Sequence, residues 1–308
     1  MNYVHIIVLL CIALIGCDSH NKNLKSSSEV INVTRIRELL RAPDLPDRHS
    51  PKELFIKNIS LPGKLGKYGL TGSSRDILNG KYMRALRFQN ITEAVEKRYG
   101  LPDGLLLAMV IRETHGVQLL PNGSDDGGFG LIHIQPLLAN KYGLKTYKNS
   151  SKLIDHDQGR ELRAELAKHK FQLEKVYHLD ERLDMVKNID AAGRLMAMYY
   201  FAKPIKTKDR TFTRLESAIW RYAGTDQGEI YYREVVMENM PRIHDKEFIL
   251  GLGKLFNDIN PKAEINGKSV DFDGYIQAFH DQNMDWGLSE YLDLPLLKIE
   301  KTQQSAYY

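Results

Sequence analysis

Cysteine is scarce in this 308-residue chain, and its distribution excludes a fold held by disulfides. The two cysteines are Cys11 and Cys17, and the remaining sequence carries no thiol that could pair. The stability of the bulk of the chain must therefore come from an ordinary apolar core. Hydrophobic residues make up 43% of the sequence and charged residues 27%, a composition typical of a soluble globular protein.

The chain also lacks an excess of one charge and, beyond its beginning, any long apolar run. Its 43 basic and 39 acidic residues give a net charge of +4, and the basic residues are scattered along the sequence. This pattern indicates no nucleic-acid partner. No later stretch reaches the roughly 20 apolar residues that a transmembrane helix needs. His115 and His156 have no metal-ligand spacing with a cysteine or carboxylate cluster, so we expect no metal.

The one marked apolar run lies at the start of the chain, from Ile6 to Ile15. At about ten residues it is too short to span a bilayer and has the length of a signal-peptide core. It ends in Leu14-Ile15-Gly16-Cys17, which resembles the bacterial lipobox. That resemblance implies that residues 1–16 are a lipoprotein signal peptide and that Cys17 carries a lipid anchor. The protein would then be attached to a membrane of the bacterial cell envelope, facing the periplasm or the cell wall. The alternatives are an ordinary secretory signal and a short apolar tail with a chance cysteine.

Helical periodicity dominates the remaining sequence and predicts a mainly α fold. Residues 17–35 are polar and predict a flexible tether. Residues 36–81 combine a short helical pattern with four prolines and predict an irregular N-terminal extension. Residues 82–240 carry apolar positions at helical spacing almost throughout and predict the main domain. Residues 241–308 predict a helical C-terminal accessory segment.

Glu113 is the most informative single residue. It follows seven consecutive apolar residues, from Leu105 to Ile111, and Arg112. This stretch predicts a buried helix whose last turn places one carboxyl group at the edge of the core. Burial disfavours the ionised form of a carboxyl group, so we expect a raised pKa and a proton held near neutral pH.

Two further motifs follow Glu113 in order. A glycine-rich loop spans Gly127-Gly128-Phe129-Gly130-Leu131, and Tyr222-Ala223-Gly224 comes later. The order of acid, glycine loop and tyrosine–glycine resembles the lytic transglycosylase family, relatives of goose-type lysozyme. The resemblance covers about residues 82–240 and implies a lysozyme-like helical domain. It also implies cleavage of peptidoglycan glycan strands between N-acetylmuramic acid and N-acetylglucosamine, with a 1,6-anhydro product, a single glutamate as acid and base, and no cofactor.

The resemblance can be followed residue by residue. The family's Glu-Ser pair corresponds to Glu113-Thr114. Its serine, glycine and glutamine run corresponds to Ser124 through Pro136, with His133 in place of the glutamine. Its Asn-Ile motif is similar to the stretch that begins at Asn188, and its tyrosine motif to Tyr222-Ala223-Gly224, with alanine in place of asparagine. The resemblance thus implies Glu113 as the catalytic residue and a set of substrate-binding residues: Thr114, Ser124, Gly130, Leu131, His133 and Tyr222.

Each of these residues also has a structural interpretation. Glu113 could form an ion pair with Arg112, the glycines could serve tight turns, Tyr222 could be a core aromatic, and His133 could be a structural histidine. Asp125 and Asp126 could supply a second acid, although their turn-like surroundings favour a solvated loop.

At the level of function, two alternatives accompany the lytic transglycosylase. One is a hydrolytic muramidase on the same fold. The other is a non-catalytic lipoprotein that binds peptidoglycan for an envelope-spanning assembly. The sequence does not indicate which protein partner, if any, the protein binds.

Overall fold

The computed structural model describes Pro43, Leu45 and residues 51–224 and 226–297. The predicted signal peptide at residues 1–16, the lipid-bearing Cys17 and the tether at residues 17–35 lie outside the described residues.

Within these ranges the protein is mainly helical, which confirms the predicted fold class at that level. Two π-helical turns, at Arg233–Asn239 and Met284–Leu288, continue neighbouring helices. The α-helices are α1 (Ser74–Ala85), α2 (Gln89–Tyr99), α3 (Leu105–Thr114), α4 (Pro136–Lys141), α5 (His156–Lys168), α6 (Leu173–Val176), α7 (Met185–Tyr200), α8 (Arg214–Ala223), α9 (Gly228–Tyr232), α10 (Met240–His244), α11 (Lys246–Ile259), α12 (Phe272–Asn283) and α13 (Ser289–Leu292).

Helix α3 lies in the middle of the core, as the sequence predicts. All residues from Leu105 to Ile111 are at most 1% exposed. Its buried N-terminus is capped from α2, because the Glu96 carboxyl oxygens accept hydrogen bonds from the backbone amides of Gly104 (2.9 Å) and Leu106 (2.5 Å). These oxygens satisfy amide groups that a helix start leaves without partners. Burial nevertheless raises the pKa of Glu96 to about 8.

The helices around α3 begin and end at residues with a clear local signal. Helix α2 ends at Gly100, which adopts the left-handed conformation (φ 63°) that glycine takes at low cost. Helix α7 starts at Asp184, whose side chain accepts from the Lys187 amide. Helix α8 starts with a reciprocal capping box between Thr213 and Glu216. Helix α7 packs against α2 and α8, and α3 itself packs against α1, α2, α7, α10 and the π-helical turn at Arg233–Asn239.

Short strands join the two ends of the described chain. Strand β1 (Ile56–Lys57) pairs antiparallel with β4 (Glu264–Ile265), which pairs with β5 (Lys268–Ser269). Strands β2 (Lys64–Gly66) and β3 (Gly69–Thr71) form a separate hairpin.

The C-terminal segment is hydrogen-bonded to the preceding part of the chain, on α7 and just before α2. The Tyr291 hydroxyl donates to Asp190 at 2.8 Å, and the Asn283 amide donates to the Arg87 carbonyl oxygen at 2.8 Å. The predicted boundary at residues 81 and 82 lies within α1, and the one at residues 240 and 241 lies within α10, so a helix continues through each.

Among the residues described, no helix has both the length and the apolar character needed to cross a membrane.

Candidate active site

The Glu113 carboxyl group lies at the end of α3, where the chain turns sharply away. The helix ends at Thr114, and the next two residues, His115 (φ 54°) and Gly116 (φ 70°), both have positive φ angles. The Glu113 side chain is 11% exposed. Its neighbour Thr114 is fully buried, and its hydroxyl donates to the carbonyl oxygens of Val110 (3.2 Å) and Leu131 (3.1 Å). Thr114 thus joins the helix end to the glycine-rich loop.

Four side chains surround this carboxyl group. The Tyr231 hydroxyl donates a hydrogen bond to Oε1 at 2.7 Å, and the Tyr222 hydroxyl lies 3.5 Å from the same oxygen. His133 Nδ1 lies 3.4 Å from Oε2. The guanidinium of Arg112 lies with Nη1 3.9 Å from Oε1. The fold therefore brings together Glu113, His133 and Tyr222, three of the residues that the sequence motifs single out.

These neighbours reverse the expected pKa shift of Glu113. Burial raises the pKa, as the sequence predicts, but the hydrogen bond and positive charge of His133 lower it, and Arg112 and Tyr231 lower it further. The net pKa lies below the ordinary value for glutamate. The expectation of a raised pKa was wrong, because it considered only the apolar helix and not the donors and cations that the fold adds.

The two tyrosines are held in the protonated form. Burial and then the negative charge of Glu113 raise the pKa of Tyr222 and of Tyr231 well above 10. Both hydroxyl groups therefore remain hydrogen-bond donors throughout the neutral range. Arg112 stacks on the Tyr231 ring at 4.5 Å and lies 3.2 Å from Glu234, through its Nε, so its position is also determined by contacts.

The loop that carries His133 is anchored by Arg182. This side chain is fully buried, pairs with Asp180 at 2.6 Å, and donates to the carbonyl oxygens of Gly127 and of Ile134 (2.9 Å). It therefore holds the backbone on both sides of His133.

Asn188 holds the middle of the same loop. Its side chain accepts from the Ile132 amide at 2.9 Å and donates to the Phe129 carbonyl oxygen at 3.2 Å. Gly130 has a φ of 86°, and a Cβ at this position would overlap Asn188 and the Arg182 backbone, so only glycine fits here.

The other predicted substrate-binding residues are not at the carboxyl group. The Leu131 side chain is 1% exposed and belongs to the core, and Thr114 is 0% exposed, so neither side chain can contact a substrate. In the structure Leu131 packs in the core and Thr114 links the helix end to the loop, while their predicted substrate-binding roles stay predictions. Ser124 is exposed, and its hydroxyl lies 3.2 Å from Asn122 Oδ1 in the turn before the loop.

Asp125 and Asp126 are engaged in holding the same turn. Asp125 forms an ion pair with Arg163 at 2.5 Å, and Asp126 accepts from the Gly128 amide at 3.0 Å. These contacts favour the structural interpretation of both residues.

Tyr231 is the residue that sequence reasoning missed. It makes the shortest contact to Glu113, yet it lies in no recognisable motif. Gly228 allows α9 to approach Trp220 on α8, which brings Tyr231 within reach of the carboxyl group. A signal was present in the helical spacing of Tyr231 and Val235, both of which are buried.

The arrangement is suited to proton transfer, because the nearly buried carboxyl group has a tyrosine hydroxyl at one oxygen and an imidazole nitrogen at the other. Among the described residues, no group of three or more His, Cys, Asp or Glu side chains is arranged to hold a metal ion. No protein-family model matches the chain, and comparisons with curated proteins and with solved structures also find no match.

Proposed function

We propose that this protein is a lytic transglycosylase that cleaves the glycan strands of peptidoglycan, with Glu113 as its general acid and base. The observation that carries the proposal is the convergence of Glu113, His133 and Tyr222 on one carboxyl group. These residues belong to three motifs, and the fold collects them at the end of one buried helix. The proposal includes a lysozyme-like arrangement of the helical domain.

The proposed reaction uses Glu113 twice. Its carboxyl group protonates the glycosidic oxygen between N-acetylmuramic acid and N-acetylglucosamine, and the C1–O bond breaks with its electron pair going to that oxygen. The resulting carboxylate then takes the proton of the C6 hydroxyl group of the muramic acid, whose oxygen closes the 1,6-anhydro ring on C1. Tyr231 and Tyr222 support this cycle, since their hydroxyl groups stabilise the carboxylate that forms after the first step.

A single acid suffices in this reaction, because the substrate's own hydroxyl group replaces a water molecule. The two candidates for a second acid, Asp125 and Asp126, are bonded to Arg163 and to the Gly128 amide. Their engagement supports a mechanism without a second free carboxylate. We further propose that Cys17 anchors the enzyme to a membrane of the bacterial envelope. This anchor would hold the enzyme close to the glycan strands, its proposed binding partner.

Digestion of purified peptidoglycan tests the proposal. Wild-type protein should release fragments with anhydro ends, which mass analysis separates from the reducing ends that a hydrolytic muramidase would leave. Glu113→Gln should release none while retaining its folded circular-dichroism spectrum. Glu53→Gln is the matched control, because Glu53 is exposed, and it should act like the wild type. Equal release by wild type and Glu113→Gln would remove Glu113 from the mechanism. Retained strand binding without any release by the wild type would support a binding lipoprotein.

A further inference from the structure

The His133 ring has a defined orientation in the site. Its Nε2 lies 2.9 Å from the carbonyl oxygen of Leu120, and its side chain is 8% exposed. A carbonyl oxygen can only accept a hydrogen bond, so Nε2 must carry a hydrogen. The other ring nitrogen, Nδ1, is the one that faces Glu113.

That orientation determines how many protons the pair must hold. If Glu113 were ionised and His133 neutral, the lone pair of Nδ1 would face a carboxylate oxygen 3.4 Å away in a nearly buried site. Two acceptors facing each other without a hydrogen are unfavourable where water cannot intervene. One proton between Nδ1 and Oε2 turns this repulsion into a hydrogen bond. His133 and Glu113 are therefore expected to bind one proton as a unit.

The second carboxyl oxygen indicates where that proton resides. Oε1 accepts the 2.7 Å hydrogen bond from Tyr231 and faces Arg112 at 3.9 Å. Both contacts stabilise a negative carboxylate, and they favour a resting state in which the proton is on the imidazole. The lowered pKa of Glu113 agrees with an ionised carboxylate in this resting state.

We propose that His133 stores the catalytic proton and passes it to the substrate through Glu113; this inference rests on the proposed function. When the glycan strand enters and excludes water, the ion pair loses solvation, and the proton moves from Nδ1 to Oε2 as the N–H bond breaks and the O–H bond forms. Glu113 then protonates the glycosidic oxygen as described. The proton taken later from the C6 hydroxyl group returns to Nδ1, so that the cycle consumes no other reactant. His133 is in this sense a positioning and proton-holding residue rather than a substrate ligand.

The groups that face the pair do not change charge in the same pH range. Tyr222 and Tyr231 remain protonated, because their pKa values lie well above 10. Arg112 stays cationic beside Glu234, and its pKa is raised by Glu113 despite its burial. Burial lowers the pKa of His115 below its ordinary value, and the charges of Lys81, Arg84 and Arg112 lower it further. His115 is therefore neutral at pH 7. These facing groups accordingly keep a constant charge near pH 7.

Nitrogen NMR of the ring tests this without any activity measurement. In the ¹⁵N-histidine-labelled full chain, the His133 signals are assigned by their loss in His133→Gln. At pH 7 both ring nitrogens of His133 should carry hydrogens in the wild type. In Glu113→Gln the ring should be neutral at the same pH, with hydrogen on Nε2 only. A neutral His133 in the wild type, or a doubly protonated ring in Glu113→Gln, overturns the proposal.

A pH–rate profile separates proton storage from a merely structural role. A pair holds its last proton more tightly than Glu113 alone would, so His133→Gln should shift the alkaline limb of kcat/KM to lower pH. The rate should fall roughly 10-fold or more at pH 8 and much less at pH 5. His169→Gln, a change of a partly exposed histidine outside the site, is the control and should leave the profile unchanged. An equal loss at all pH values would mean that His133 only supports the fold.

The two measurements keep this inference and the proposed function distinguishable. A protonated His133 in a protein that releases no glycan fragment would refute the transglycosylase and retain the pair. Anhydro products from a protein with a neutral His133 would refute the pair and retain the transglycosylase.

Discussion

Replacement of Arg182 by methionine is the change that tests most directly how the site is held. Arg182 and Asp180 are both fully buried and paired at 2.6 Å, and the same guanidinium donates to the Gly127 and Ile134 carbonyl oxygens on both sides of His133. Methionine matches the aliphatic stem of arginine and removes all of these donors. The variant leaves a buried carboxylate without its cation and takes one donor from each of the two carbonyl groups, of which Ile134 retains the Phe129 amide at 3.4 Å.

The expected cost follows from those losses. Removing one partner of a buried ion pair costs about 3–5 kcal/mol, and loss of the donor to the Gly127 carbonyl oxygen costs about 1–3 kcal/mol if that oxygen cannot reach water. Asp180 retains the hydrogen bond from the Tyr147 amide at 2.7 Å, and the loop can relax, so the losses do not add fully. We expect Arg182→Met to lower the free energy of unfolding by about 4 kcal/mol.

Urea unfolding followed by circular dichroism measures this loss of stability. Peptidoglycan digestion without urea, where the variant is still folded, measures the activity lost when the loop that carries His133 is displaced. Arg160→Met is the matched control, because Arg160 pairs with Asp157 on the surface, where both side chains are more than half exposed. It should change stability by less than about 0.5 kcal/mol. Adding Asp180→Asn to Arg182→Met removes the unpaired charge and should recover part of the stability. A loss below about 1 kcal/mol for Arg182→Met, or no recovery in the double variant, would refute this account of the loop.

Three further predictions concern the site, the helix that carries it and the anchor. Tyr231→Phe should reduce the rate of glycan release roughly 10- to 100-fold, and more than Tyr222→Phe does, because Tyr231 makes the shorter bond to Glu113 (2.7 against 3.5 Å). The control in the same digestion assay is Tyr68→Phe, since Tyr68 is exposed. Equal rates for the Tyr231 and Tyr222 variants would contradict this prediction. Glu96 has a pKa near 8 in the folded protein, above its ordinary value of 4.5, so its contribution to stability is fully present below pH 4.5 and is lost as the pH rises through 8. The unfolding free energy of the wild type, measured by urea titration relative to Glu96→Gln, should therefore fall by about 3 kcal/mol between pH 5 and 8; a constant difference would refute the raised pKa. Cys17→Ser should release the protein from membranes or leave it unprocessed, because a firm anchor needs two or more acyl chains; fractionation and migration like the wild type would refute lipidation.

Local sequence was sufficient where the structure depends on neighbouring residues. Helix α3 could be predicted because seven consecutive apolar residues can satisfy their backbone as a helix and bury every side chain. The position of Glu113 at the helix end followed from the same stretch. The tight turn of the glycine-rich loop likewise indicated a structural need for glycine at Gly130. The short strands were missed, because segments of two or three residues carry no alternating pattern.

The chemistry around Glu113 was decided by tertiary structure. The sequence determined that an acid would stand at the end of an apolar helix, and from burial alone its pKa would rise. The direction reversed because His133, Arg112 and Tyr231 supply a ring nitrogen, a cation and a hydroxyl group within 4 Å of the carboxyl oxygens, one of them from a residue 118 positions away. A pKa depends on the distances between charges and donors. For residues so far apart in sequence, those distances are determined by the packing of α3 against the π-helical turn that follows α9 and by the Arg182-anchored loop.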